Sequence, residues 1–393
     1  MLNTSDEVMM PMARQPRGAI KLSGTVIVRD DAGVEKSRAT TNVTLFDCWE
    51  SWEVENNTFR GADTFRIHLI SSILPIGMGI EWFSNQSFIS AQIYANEDPL
   101  SPENYLPSDE DSLIYGSVDE ISYNPVRGTI ELHGRDLTAL LIDTKSSDHY
   151  VNETSSGIAT LLAKKHGLGV KNITPTKTKA GVYYQIDHDN VKTDSSDWDL
   201  LIFLANMEGF LVYISGKELF FGKQKVEKDV YLLNWDESNE NRAYPISNAV
   251  ELSFSRALHI SKGVTVEIHS WNSKQKTGFS AYFPKASKGI KPGQSVPHTT
   301  NYRYTVPNLT QEQATKEAVT RYGQIVAHEM TLTAYMPADS ILNCEMLLRV
   351  QGTNSSFDQD YFPDSVMRSM STHEGYRMNI RAKNTSPDLV VTS

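Results

Sequence analysis

The spacing of apolar residues changes twice along this chain, and no single repeated element accommodates both changes. From Thr129 to His133, Ile130 and Leu132 alternate with Glu131 and His133, the period of a half-buried antiparallel strand. Ile158, Leu161 and Leu162, then Leu200, Leu201, Phe203 and Leu204, follow helical spacing instead. Alternation returns in Val264, Val266 and Ile268, and again in Tyr376, Met378 and Ile380 against Arg377, Asn379 and Arg381. A β context is therefore interrupted by an α/β island over 141–208, read as a domain inserted into a barrel or sandwich.

Local punctuation sharpens these elements. Asp30-Asp31-Ala32-Gly33 and Asn124-Pro125-Val126-Arg127-Gly128 suit hairpin turns, the latter between Leu113–Tyr123 and Thr129–His133. Thr154-Ser155 and His166-Gly167 bracket one helix; Asp197–Glu208, with an Asp/Ser cap and Gly209 as terminator, is a second. Ala180–Ile186 looks like a short strand, and Phe210–Ile214 with Glu218–Phe221 a hairpin about Ser215-Gly216-Lys217. Thr310 with Gln313 forms a capping box for a helix striped by Ala314, Ala318, Tyr322, Ile325 and Val326. Residues 272–307, rich in Lys, Ser, Pro and Gly, read as a long loop or ribbon.

At 393 residues the chain is too long for one core, and the two β units suggest an architectural duplication. Two cysteines, Cys48 and Cys344, cannot staple it, so a reducing compartment of synthesis is expected. Apolar runs such as Leu200–Ala205 fall far short of the ~18–20 residues of a membrane span, and the start lacks a secretory apolar region. A formal charge of −11 argues against a general nucleic-acid binder.

The search for chemistry returns no constellation. His328-Glu329 opens like a zincin motif, but position 332 is Leu. Adjacent side chains in Asp187-His188-Asp189 point apart on a strand or turn. Gly77-Met78-Gly79 and Gly167-Leu168-Gly169 lack the third glycine of a phosphate cradle. The expectation is no catalytic residue, no metal site and no cofactor.

Charge is more informative. Ile67–Val126 holds no Lys or Arg but nine carboxylates: Glu81, Glu97, Asp98, Glu103, Asp109, Glu110, Asp111, Asp119 and Glu120. Ile268–Gln311 holds six basic residues, Lys274, Lys276, Lys285, Lys288, Lys291 and Arg303, and no Asp or Glu. These are two solvated surfaces or two complementary interface patches. The aromatics interleaved with the basic block (Trp271, Phe279, Tyr282, Phe283, Tyr302, Tyr304) suit either a core or base stacking.

Several stretches together resemble the bacteriophage baseplate hub family, which includes the late control protein D group and the hub half of type VI secretion spikes. They are Gly116–Tyr123, then Thr129–Asp136 ending in Gly134-Arg135-Asp136, then Leu140–Asp143. Tyr150–Thr154 leading to Ala163–Leu168 follows, then Trp198–Leu201, Gly209-Phe210, Leu219–Phe221, Ser270-Trp271 and Thr372–Tyr376.

The resemblance implies a mainly β chain with two tail-tube-like β-barrel domains and an inserted α/β domain. The expected order is a flexible arm (1–20), a first barrel (21–140 plus 209–235) and the insertion (141–208). A second barrel (236–385) carries the basic loop (272–307) and a helix (311–328), and a tail (386–393) follows. It implies a structural virion protein without a fused spike, made in the host bacterial cytoplasm. As a homotrimer it would form a pseudo-sixfold ring adapting the tube to a threefold spike and passing DNA during genome ejection. Spike, tube or tube-initiator, wedge and tape-measure proteins are the implied partners. The hub of a contractile tail, of a non-contractile tail tip and of a phage-derived injection particle all fit. A glycan-active or glycan-binding β protein is the alternative of a different class.

Overall fold

The computed structural model describes residues 17–29, 35–46, 48–57, 61–96, 106–145, 148, 150, 153–177, 195–223, 230–238, 240, 243–261, 263–272, 277–284, 300–306, 309–326 and 329–384. The Asp30–Gly33 turn, Ala180–Ile186 and the 386–393 tail lie outside them. The protein is mainly β, and its described residues form four apolar cores.

The first half contains β1 (Arg17–Arg29), β2 (Glu35–Phe46), β3 (Trp49–Asn57), β4 (Thr64–Ile70), β5 (Phe88–Asn96), β6 (Ile114–Asn124) and β7 (Thr129–Asp136), in the spatial order β2-β1-β5-β6-β7-β4-β3. Side chains from all seven strands, including Ile20, Leu45, Trp52, Ile67, Ile93, Ile114 and Leu132, meet in one core. A sheet whose one face converges in this way must curl over itself. Arg17–Ile20, expected in a flexible arm, instead begin β1, because Ala19 and Ile20 are buried and Arg17 pairs with Asn96.

The island follows. Helices Thr138–Asp143, Ser155–Lys165 and Asp197–Glu208 cover a sheet of β8 (Gly169–Ile173), β9 (Leu211–Ser215) and β10 (Glu218–Gly222). Thr154 caps the second helix, and Ser196 with Asp199 completes a capping box on the third. That third helix ends where Gly209 (φ +68°) lets Phe210 N–H reach Ala205 O and its own N–H reach Asn206 O. The hairpin after Gly209 was expected to rejoin the first β unit. It instead pairs with β8, since Val212, Ile214, Leu219 and Phe221 fill the island core.

The second half contains β11 (Val230–Asp236), β12 (Ile246–Ser247), β13 (Glu251–Arg256), then β14 (Val264–Asn272), β15 (Thr277–Phe283), β16 (Thr300–Thr305), and β17 (Met330–Pro337), β18 (Leu347–Gln351), β19 (Asp360–Ser371) and β20 (Gly375–Lys383). Strand β11, within the span expected for the first barrel, pairs with β18. The stretch expected as a basic loop supplies β15 and β16, which flank β14. Helix Gln311–Val326, capped by Thr310 and Gln313, covers that small sheet with Ala314 and Ala318 against Val266, Ile268 and Ala281.

The remaining strands run β12-β11-β18-β19-β20-β17-β13, the order of the first half with each strand in its corresponding place. All their neighbour pairs are antiparallel as in the first half, except β11 with β18, which is parallel. Seven residues of β19 also pair with β3, from Ser365↔Asn57 to Ser371↔Ser51, so the halves form one 14-stranded sheet. Two tail-tube-like β-barrel domains were expected; among the described residues neither sheet closes on itself, and the edge of β3 away from β4 pairs with β19.

Candidate functional site

The Gly134-Arg135-Asp136 end of β7 does three separate structural tasks. Gly134 lets β4 and β6 approach: a Cβ there would lie 2.2 Å from both Phe65 Cζ and Ser117 O. Arg135 bonds Asp119 on β6 (2.6 Å) and Asp143 at the end of helix Thr138–Asp143 (2.8 Å). These partners hold the guanidinium pKa up and that of Asp143 down. Asp136 accepts from Thr138 N (3.1 Å) and Oγ1 (2.9 Å), turning the chain from β7 into the island.

A polar relay continues from there across the junction of the halves. Asp136 N donates to Asp63 O (2.9 Å), while the Asp63 carboxylate accepts from Asn56 Nδ2 (2.9 Å) and Asn57 N (2.7 Å). Asn56 Oδ1 accepts from Arg368 Nη1 of β19 (3.2 Å), a buried guanidinium whose other donors reach the carbonyls of Asp339 and Leu342. Tyr213 of the island donates to Glu345 of the second half. These residues other than Asp339, together with Cys344, line a cleft of about 260 Å³ where both halves and the island meet.

Burial dominates the electrostatics here. It raises Asp63 to about 6 against the opposing bonds of Asn56 and Asn57. Burial, and secondarily the charge of Asp63, raises Asp136 to about 8. The Cys344 thiol is pushed up to about 12, again chiefly by burial. A carboxylate pair in a cleft has the components of hydrolytic chemistry, but every carboxylate oxygen of this pair accepts a bond from the scaffold. The arrangement ties three units together. Sequence reasoning singled out Asp136 through its motif and missed Asp63, Asn56 and Arg368, which have no local signature.

The other sequence candidates disperse. Asp187-His188-Asp189 and His328 lie outside the described residues; Glu329 bonds Arg256 (3.1 Å). Cys48 packs beside the first core and Cys344 beside that of the second half, each partly buried. Met78 packs into the first core, while Gly167 follows one helix and Gly169 starts β8. Of the acidic block, Glu97, Asp98 and Glu103 lie outside the described residues; Asp109 bonds Tyr94 and Lys21, and Asp119 bonds Arg135. Of the basic block only Arg303 is described, held 2.7 Å from buried Glu267. No helix of the described residues is long and apolar enough to cross a membrane.

No protein-family model and no curated protein matches the chain. Solved structures do. The tail protein from Neisseria meningitidis MC58 superposes with a TM-score of 0.60 at 14% identity, over 94% of this chain and 98% of that one. The 43 kDa tail protein of prophage MuSo2 from Shewanella oneidensis gives 0.59 at 14% identity, over 94% and 99%. The chain has the fold of a phage tail protein. A chain of the Francisella PdpA–VgrG complex shares that tail-protein fold at a TM-score of 0.51 and 10% identity, over 95% of this chain and 53% of that one.

Proposed function

We propose that this protein is a structural tail component, the hub of a phage baseplate. Three copies would form a pseudo-sixfold ring between the tail tube and a threefold spike, and DNA would pass through it. The observation that carries the reading is the repeated strand order of the halves, joined head to tail through β3 and β19. Two like units in each of three chains supply six like positions, and closed cyclic symmetry leaves no interface unused. The fold shared with tail proteins over nearly the whole chain supports the same reading. The island and the helix-covered β14–β16 unit would present surfaces to baseplate neighbours. The polar junction would keep both halves and the island in one orientation.

Light scattering of the protein mixed with its spike should give a three-to-three complex, and electron microscopy a ring with an axial channel. A stable dimer overturns the proposal.

A further inference from the structure

Strands β6, β7, β4 and β3 correspond residue by residue, and not only in order, to β19, β20, β17 and β13. Strand β6 is bulged between Val118 and Glu120, and β19 between Pro363 and Ser365. The bulged residue is an aspartate in both, Asp119 and Asp364. Each pairs at 2.6 Å with a base on the next strand, Arg135 of β7 and Lys383 of β20. A bulge fixes register locally, so Glu120 corresponds to Ser365, Tyr123 to Arg368 and Asn124 to Ser369. Pairing through β4 and β17 likewise matches Val54 of β3 with Phe254 of β13.

Among the described residues, two strand edges are then left over in complementary places. Strand β19 uses Ser365–Ser371 to pair with β3. The corresponding edge of β6 has no pairing with β5 beyond Ser117↔Ser90, although β6 continues to Asn124. Strand β13, the counterpart of β3, pairs only with β17 among the described residues. Residues on or beside both edges expose apolar surface: Ile121, Tyr123 and Val126 on one, Val250 and Leu258 on the other. Free edges of this length are pairing templates that native proteins cover or blunt.

We infer that β13 of one copy pairs antiparallel with the outer half of β6 in the next copy, repeating the internal β3·β19 junction. The partner is a second copy of this chain, and the inference rests on the ring reading above. The internal register transfers directly. Asn57↔Ser365, Asn56↔Val366, Glu55↔Met367, Val54↔Arg368 and Glu53↔Ser369 become Ala257↔Glu120, Arg256↔Ile121, Ser255↔Ser122, Phe254↔Tyr123 and Ser253↔Asn124. Phe254 and Tyr123 form a cross-strand aromatic pair, a favourable sheet contact. The contact is heterologous, so it closes only by completing a ring.

Residues directly opposite have Cβ atoms ~4.5–5.5 Å apart, close to disulfide range. A full-length variant carrying Ser122→Cys and Ser255→Cys, oxidised at high protein concentration, should give a covalent ladder ending at trimer. Neither single variant should, which controls for Cys48 and Cys344. Pairing Ser122→Cys with Ser253→Cys should cross-link several-fold less. A trimeric mass without the cross-link overturns the strand assignment and leaves the ring standing. A monomer without the cross-link, in the presence of the spike as well as alone, overturns both.

Discussion

A methyl group at Gly134 would sit 2.2 Å from the aromatic ring of Phe65 and from the Ser117 carbonyl. The carbonyl belongs to a paired neighbouring strand and cannot rotate away, so Gly134→Ala should cost about 3 kcal/mol, the upper part of the overpacking range. Denaturant melts of the variant check this. The junction carboxylates set a pH dependence of definite sign. An unfolded aspartate titrates near ~3.9; folded Asp63 and Asp136 titrate near 6 and 8. Their contribution is complete below the unfolded value and is lost as pH rises through about 6 and then about 8. Asp109, Asp143 and Asp360 are held low by bonds from Tyr94, Arg135 and Arg349, so their contribution is present at higher pH and disappears on acidification. Thermal stability should therefore fall on the alkaline side from about pH 5 to 8, and Asp63→Asn should flatten the lower part of that decline.

Helix Asp197–Glu208 depends on its start. Ser196 Oγ accepts from Asp199 N (3.1 Å), and Asp199 Oδ2 accepts from Ser196 N (3.0 Å), satisfying two otherwise unpaired donors. Ser196→Ala should cost about 1 kcal/mol and loosen the island first, because the helix supplies Trp198, Leu201, Leu204 and Ala205 to its core. Hydrogen exchange resolved by segment would show faster exchange at the helix start and in β8–β10, with β3·β19 unchanged. The helix also accepts Lys316 Nζ at its Met207 carbonyl (2.8 Å), a cation at the negative end of its dipole. That bond ties the island to the helix-covered sheet of the second half.

In the proposed ring, opposite charge on the two blocks would steer and register encounter more than it would add affinity. Arg303 is already committed to Glu267, so the test is made on lysines of the block. Reversing Lys285, Lys288 and Lys291 to Glu should slow trimer formation at low salt. The difference from wild type should vanish as salt rises and the screening length drops below ~8–10 Å. Coincident rates at every salt concentration would point instead to an acidic lining of the channel.

Helices, caps and alternating strands were legible because each is written in residues a few positions apart. Thr310 with Gln313, Ser196 with Gly209, and Ile130 with Leu132 all report local geometry. Strands β15 and β16 were hidden because the Lys-, Ser- and Gly-rich segments between and beside them dominate the composition of the stretch. The return of β9 and β10 to the island, the β3·β19 junction and the Asp63–Asn56–Arg368 relay join residues far apart in the chain, Asn56 and Arg368 by 312 positions. Hydropathy period states which face of a strand is buried. It does not state which edge the strand meets, since every strand offers the same backbone donors and acceptors, and the choice among them rests on how the curled sheets fit together.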